Sequence, residues 1–189
     1  MKRQRIKYLN EEEKKKLLSA LADRKSAARS YMMYDLMLNT GLRLSETISV
    51  NVGDIQDKRI LNITGKGGRI RDIPLNKAIR EHTHEFLSWK GAKGESLEIN
   101  AALFLSRNHK RMSKRAVQRN FKKWIQLAGI EGDYSPHALR HTVGTELLNK
   151  SKNIRLVQEF LGHRDVSTTM VYTHVTKEQI AEAAEALSL

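Results

Sequence analysis

The stretch from Ser135 to Val175, SPHALRHTVGTELLNKSKNIRLVQEFLGHRDVSTTMVYTHV, limits the possible folds more than any other part of the chain. Ser135 reads as an N-cap and Pro136 as the first helical residue, where a missing N–H does no harm. A helix to about Asn149 follows, because at about 100° per residue Leu139, Val143 and Leu147 form one apolar stripe. His137 and Arg140, three apart, lie together on a neighbouring face. A second helix, from about Asn153 to Leu161, is expected to bury Ile154, Val157, Phe160 and Leu161. Gly162 stops it as a left-handed cap, so His163 is fixed by a turn. A third helix is expected to start near Ser167 and to carry Tyr172.

The rest of the chain supplies a core for these helices. Asn10 with Glu13 matches a capping box and opens a helix to about Ala22. Ser26 is expected to open another through Leu38, whose YMMYDLML run is apolar nearly all round and reads as a buried central helix. Gly41 ends it, and Arg43 stands just past the break. Glu46, three residues on, can orient Arg43 or cap a helical turn; the first role is favoured. Arg59 to Thr64 and Ile70 to Leu75 alternate like strands and flank Gly65-Lys66-Gly67-Gly68, a hairpin. The four-residue spacer of an NTP-binding loop is absent there, which excludes that reading. Asn76 opens a helix to about Trp89. Ser113 caps another whose apolar face is Val117, Phe121, Trp124, Ile125 and Ala128.

Arg107 to Lys123 holds eight Lys or Arg and no acid. Together with a formal net charge of +13, this points to a polyanionic partner. Lys110, Arg111, Lys114, Arg115 and Arg119, with Arg69 and Arg71 of the hairpin, are the candidate DNA contacts. The absence of cysteine excludes disulfides and thiolate metal sites. No apolar run approaches the roughly 18 residues a membrane span needs, so a cytoplasmic, nucleoid-associated protein with no membrane partner is expected.

Three motifs, HALRH, LGH and YTH, resemble in order the C-terminal catalytic box of the tyrosine recombinases, the phage integrase family. NTGLRLSE (Asn39 to Glu46) resembles the family's first arginine box, and GKGGRIRDIPL (Gly65 to Leu75) its lysine hairpin. The departures are Thr47, where an apolar residue is common, and Val143-Gly144 in place of a frequent Phe-Ala. The resemblance implies an α+β, mostly helical catalytic-domain fold with a small antiparallel sheet on one edge. It also implies six catalytic residues: Arg43, Lys66, His137, Arg140, His163 and Tyr172. Residues 1–8 are then a basic arm or linker remnant, 9–175 the catalytic domain and 176–189 a tail helix. Ile180, Ala183, Ala184 and Leu187 share one face of that tail, which folds back or, as the family implies, is exchanged between subunits. Family members usually carry an N-terminal DNA clamp. The chain is therefore expected to be an excised domain or a small, invertase-like member.

The residue types make chemical sense together. Two guanidiniums and His163 can bind the non-bridging oxygens of a phosphodiester while charge builds on them. A phenol with a pKa near 10 is ionised in only about one molecule in a thousand at pH 7. Tyr172 as nucleophile therefore needs a base, and His137 is the candidate. Lys66 is the candidate acid for the departing 5′-oxygen. The family implies a 3′-phosphotyrosyl intermediate, formed without ATP, metal or other cofactor. It further implies double-stranded DNA as partner, a tetramer on DNA from monomers in solution, and accessory DNA-bending proteins. The rival readings are a catalytically silent DNA-binding regulator, a type IB topoisomerase-like activity and a metal-dependent nuclease. The last is unsupported by any acidic cluster near the motifs.

Overall fold

A computed structural model describes residues 7–64, 68 and 70–162. The expected third helix with Tyr172, the tail helix, the arm before Lys7, and Lys66, Arg69 and His163 lie outside the described residues.

Eight α-helices and one hairpin make up the described part. Helix α1 (Glu11–Ala22) starts at the expected box: the Asn10 side chain accepts from Glu13 N, and Glu13 reaches back to Asn10 N. Helix α2 (Ala28–Thr40) starts later than Ser26, because a 3₁₀ turn at Lys25–Ala27 comes first and no side chain caps the entry. It is the central helix, with Met32 to Met37 all buried, and it packs against α1 and two later helices. Gly41 closes it at φ 62°, a left-handed conformation that glycine adopts without penalty. A Cβ at Gly41 would lie 2.5 Å from the Leu161 side chain. Close packing and backbone geometry therefore both require glycine there.

Two short helices follow, α3 (Leu44–Ser49) and α4 (Val52–Ile55). Strands β1 (Ile60–Thr64) and β2 (Ile70–Pro74) pair antiparallel, with Ile63 opposite Arg71 and Thr64 opposite Ile70. Leu61, Ile63 and Ile73 face the core. Helix α5 (Lys77–Ala92) is capped by Asn76 and α6 (Lys114–Leu127) by Ser113, as expected. Between them Leu103 and Phe104 are fully buried. Helix α7 (His137–Ser151) begins one residue later than the sequence suggests. The Ser135 side chain makes no cap; its carbonyl accepts from Ala138 N instead. Helix α8 (Ile154–Leu161) ends on Gly162 at φ 64°. It buries Val157 and Leu161 fully but Ile154 and Phe160 only in part.

Helices α5 and α7 flank α2, and α8 packs on α7. The Leu161–Gly162 turn is thereby laid against the Gly41 turn at the end of α2. The fold thus gathers three chain breaks in one place: the ends of α2 and α8 and the start of α3.

Candidate active site

Arg140 sits on the buried face of α7 and is 3% exposed. Burial of a guanidinium requires partners, and two backbone carbonyls provide them. Arg140 Nη1 donates to Gly41 O and Nη2 to Leu161 O, each at 2.6 Å. The cap glycine of α2 and the last residue of α8 thus present their orphan carbonyls to one arginine. The sequence offers no signal for this, because a carbonyl carries no residue identity.

Arg43 occupies the N-cap position of α3 with extended backbone. Its Nη2 donates to Gly162 O at 3.4 Å. Both arginines therefore touch the turn that leads directly into His163. Glu46 fills both roles the sequence left open. It accepts from Arg43 N at 2.8 Å, capping α3, and from Arg43 Nη1 at 2.8 Å, orienting the side chain.

A third arginine joins them. Arg71 Nη2 and Nη1 donate to Glu46 Oε2 and Oε1 at 2.9 and 3.2 Å, a two-pronged pair. The Arg71 side chain is 13% exposed. At this expected DNA contact the guanidinium is turned inward onto a carboxylate. The signal lay in the alternation, since Arg71 is in phase with the inward-facing Ile73 and Leu75. Burial works to raise the Glu46 carboxyl. The Arg43 N–H and the guanidiniums of Arg71 and Arg43 outweigh it and hold the group below the ordinary carboxylate range.

His137 begins α7, exposed at the surface. The desolvation its ring does experience, then the charges of Arg140 and Arg43, push it below the usual histidine value. It is therefore neutral at neutral pH, the form a general base requires. His141 stands edge-on to it, with ring centroids 5.4 Å apart. Burial, His137 and Arg140 push His141 down to about 4.

These shifts predict an acid-labile fold. Below about pH 6.5 an unfolded chain takes up protons that folded His141 and His137 refuse. Stability therefore falls as pH drops from about 6.5 toward about 4. Glu46 adds a further loss below its ordinary value of 4.5. Thermal melts across this range should show a steady fall in Tm, and His141→Asn should flatten the upper part of it.

The other predicted DNA contacts divide. Lys110, Lys114, Arg115 and Arg119 are exposed. Helix α6 holds the last three on a frame fixed by buried Val117, Phe121, Trp124 and Ile125. Asn120 adds to that frame by accepting from Tyr34 and Ser30. Arg111 is exposed as well, and it also holds protein. It donates to Ile48 O, Val50 O and Asn51 Oδ1 at 2.6–3.1 Å and clamps its loop to the end of α3.

The surrounding fold is shared with solved recombinases. A XerH site-specific recombinase bound to its difH substrate in a pre-cleavage complex superposes with a TM-score of 0.81 at 26% identity, over 97% of this chain and 55% of that one. XerA recombinase gives 0.78 at 27%, over 96% and 65%. The catalytic domain of bacteriophage HP1 integrase shares the fold at 0.68 and 19% identity, over 97% and 96%. Helices clustered around a hairpin, with arginines converging where the helix ends meet, therefore define a recombinase catalytic-domain fold.

The chain belongs to the phage integrase family, whose model matches residues 7–179. It is 41% identical to a tyrosine recombinase XerC of Caldanaerobacter subterraneus subsp. tengcongensis over 93% of this chain and 49% of the relative. To XerC of Vibrio campbellii it is 38% identical, over 96% and 58%. The chain thus spans about half the length of the curated relatives it matches.

Proposed function

We propose that this chain carries the cleavage and rejoining chemistry of a site-specific DNA recombinase. The observation that supports it most is the meeting of Arg43 and Arg140 on the Leu161–Gly162 turn, one residue before His163. Two permanently charged forks at one place suit a backbone phosphate. Arg43, Arg140 and His163 bind its non-bridging oxygens and stabilise the charge of the transition state. The Tyr172 oxygen attacks phosphorus and its proton passes to neutral His137. The bond from phosphorus to the 5′-oxygen breaks, and Lys66 gives that oxygen a proton. The products are a 3′-phosphotyrosyl link and a free 5′-hydroxyl. Attack by a 5′-hydroxyl reverses the step and reseals the strand, with no need for ATP or metal.

Double-stranded DNA is the partner, with Lys110, Lys114, Arg115 and Arg119 as backbone contacts. Residues 176–189 link subunits into a tetramer on DNA, while the free chain is a monomer.

A nicked duplex tests this reading, because loss of the short 5′ fragment traps the intermediate. In EDTA, wild type is expected to give a covalent protein–DNA band on a denaturing gel, and Tyr172→Phe none. A topoisomerase-like activity would also trap but would relax supercoiled plasmid without a specific site. A silent regulator would bind DNA and trap nothing. A metal-dependent nuclease would cut without a covalent band, and EDTA would abolish the cutting.

A further inference from the structure

Among the described residues, the inward-facing side of the hairpin carries Leu61, Ile63, Ile73 and one charge, Arg71. An aliphatic residue would satisfy that position by packing alone. An arginine there has to be matched by an acceptor, and its match comes from another element, α3. The same guanidinium lies against the end of α8. A Cβ at Gly162 would come within 2.9 Å of both Arg71 Cδ and Arg71 Nη1. The Glu46 carboxylate that receives Arg71 also receives Arg43. Arg71 therefore ties β2 to the first arginine box and to the turn before His163 in a single contact set.

Lys66 lies in the five residues that join Thr64 to Ile70. Arg71 is the second residue past that connection, opposite Ile63 on β1. We propose that Arg71 is a positioning residue. It fixes the base of the hairpin to the Arg43–Glu46 corner and so sets where Lys66 meets the leaving 5′-oxygen. The inference rests on the strand-cleavage reading above and on Lys66 as its acid. It replaces a phosphate contact by Arg71 with an internal tie.

Sulfur in place of the bridging 5′-oxygen separates the possibilities. A thiolate, with a pKa of about 8.5, leaves without a proton, whereas an alkoxide does not. Single-turnover cleavage is measured on nicked duplexes with either atom, built on a site that this chain selects from a randomised pool. Wild type, Lys66→Ala, Arg71→Met and Arg71→Lys are compared, with thermal melts to confirm folding.

Arg71→Met is expected to slow the oxygen substrate by about 10²-fold, a typical loss for a displaced general acid. The sulfur substrate should be slowed far less, so the sulfur-to-oxygen rate ratio rises at least tenfold, as in Lys66→Ala. Arg71→Lys keeps the charge but not the fork, and should give an intermediate ratio; it carries the test should the methionine variant not fold. The salt slope of DNA binding should stay at the wild-type value. A wild-type rate ratio in both variants overturns the proposal, as does a drop of about one unit in the salt slope, the mark of a lost phosphate contact. A wild type that forms no covalent product on either substrate overturns the strand-cleavage reading itself.

Discussion

Arg140→Ala is expected to lose about 2–5 kcal/mol of stability and to cleave DNA at least about 10²-fold more slowly. The stability loss comes from the two carbonyls it leaves behind. Gly41 O and Leu161 O each receive a 2.6 Å hydrogen bond from a side chain that is only 3% exposed. A buried acceptor stripped of its donor costs about 1–3 kcal/mol, and here two are stripped together. The loss is a large part of the roughly 5–15 kcal/mol that holds a typical domain folded. Arg140→Lys restores the charge but cannot fork to both carbonyls, so it should recover only part of the stability. Urea unfolding and single-turnover cleavage measure the two losses separately. A stability change under about 0.5 kcal/mol, the range of an ordinary surface substitution, would show that the turns at Gly41 and Leu161 do not depend on Arg140.

Glu46→Ala should be comparably severe for a different reason. The carboxylate accepts four hydrogen bonds, from Arg43 N, Arg43 Nη1, Arg71 Nη1 and Arg71 Nη2. Without it, two guanidiniums face each other with nothing between them. Breaking a buried pair costs about 3–5 kcal/mol. The lower end applies because the Arg43 side chain is 37% exposed and keeps water. The double variant Glu46→Ala with Arg71→Met should be less damaged than the sum of its parts, by about 1–3 kcal/mol, because the uncompensated inward charge leaves as well. Additive losses would mean that Glu46 and Arg71 do not act as a pair. The fall in stability below pH 4.5 traced to this carboxyl should also vanish in Glu46→Ala.

Legibility in the sequence follows from where the information resides. Helix entries marked by Asn10, Asn76 and Ser113 and helix stops at Gly41 and Gly162 were readable because a cap is a side-chain or glycine property at a fixed offset. The hairpin was readable from its alternation. The start of α2 was misjudged at Ser26 because a 3₁₀ turn that no side chain caps leaves no mark. The protein partners of Arg71 and Arg111 were not legible, because basic residues in basic stretches default to the surface. Period-two phasing could have moved Arg71 inward. Nothing local could have revealed the partners of Arg111, which are two carbonyls and Asn51, about sixty residues earlier. The position of Arg140 beside His137 on α7 was legible, but its anchoring on Gly41 and Leu161 was not. A salt-bridged lysine was also missed. Lys90 is fully buried on Glu95, which also takes Arg29.

The proposed mechanism requires a cationic corner that receives a backbone phosphate, and neutralising that phosphate tests it most directly. A nicked duplex with a methylphosphonate at the cleavage position removes the charge that Arg43 and Arg140 are there to meet. Arg43→Ala, which should fail on the natural phosphate, is expected to recover covalent attachment through Tyr172 on the neutral one. If Arg43→Ala is equally impaired on both substrates, the corner does not meet the reacting phosphate, and the proposed mechanism is wrong.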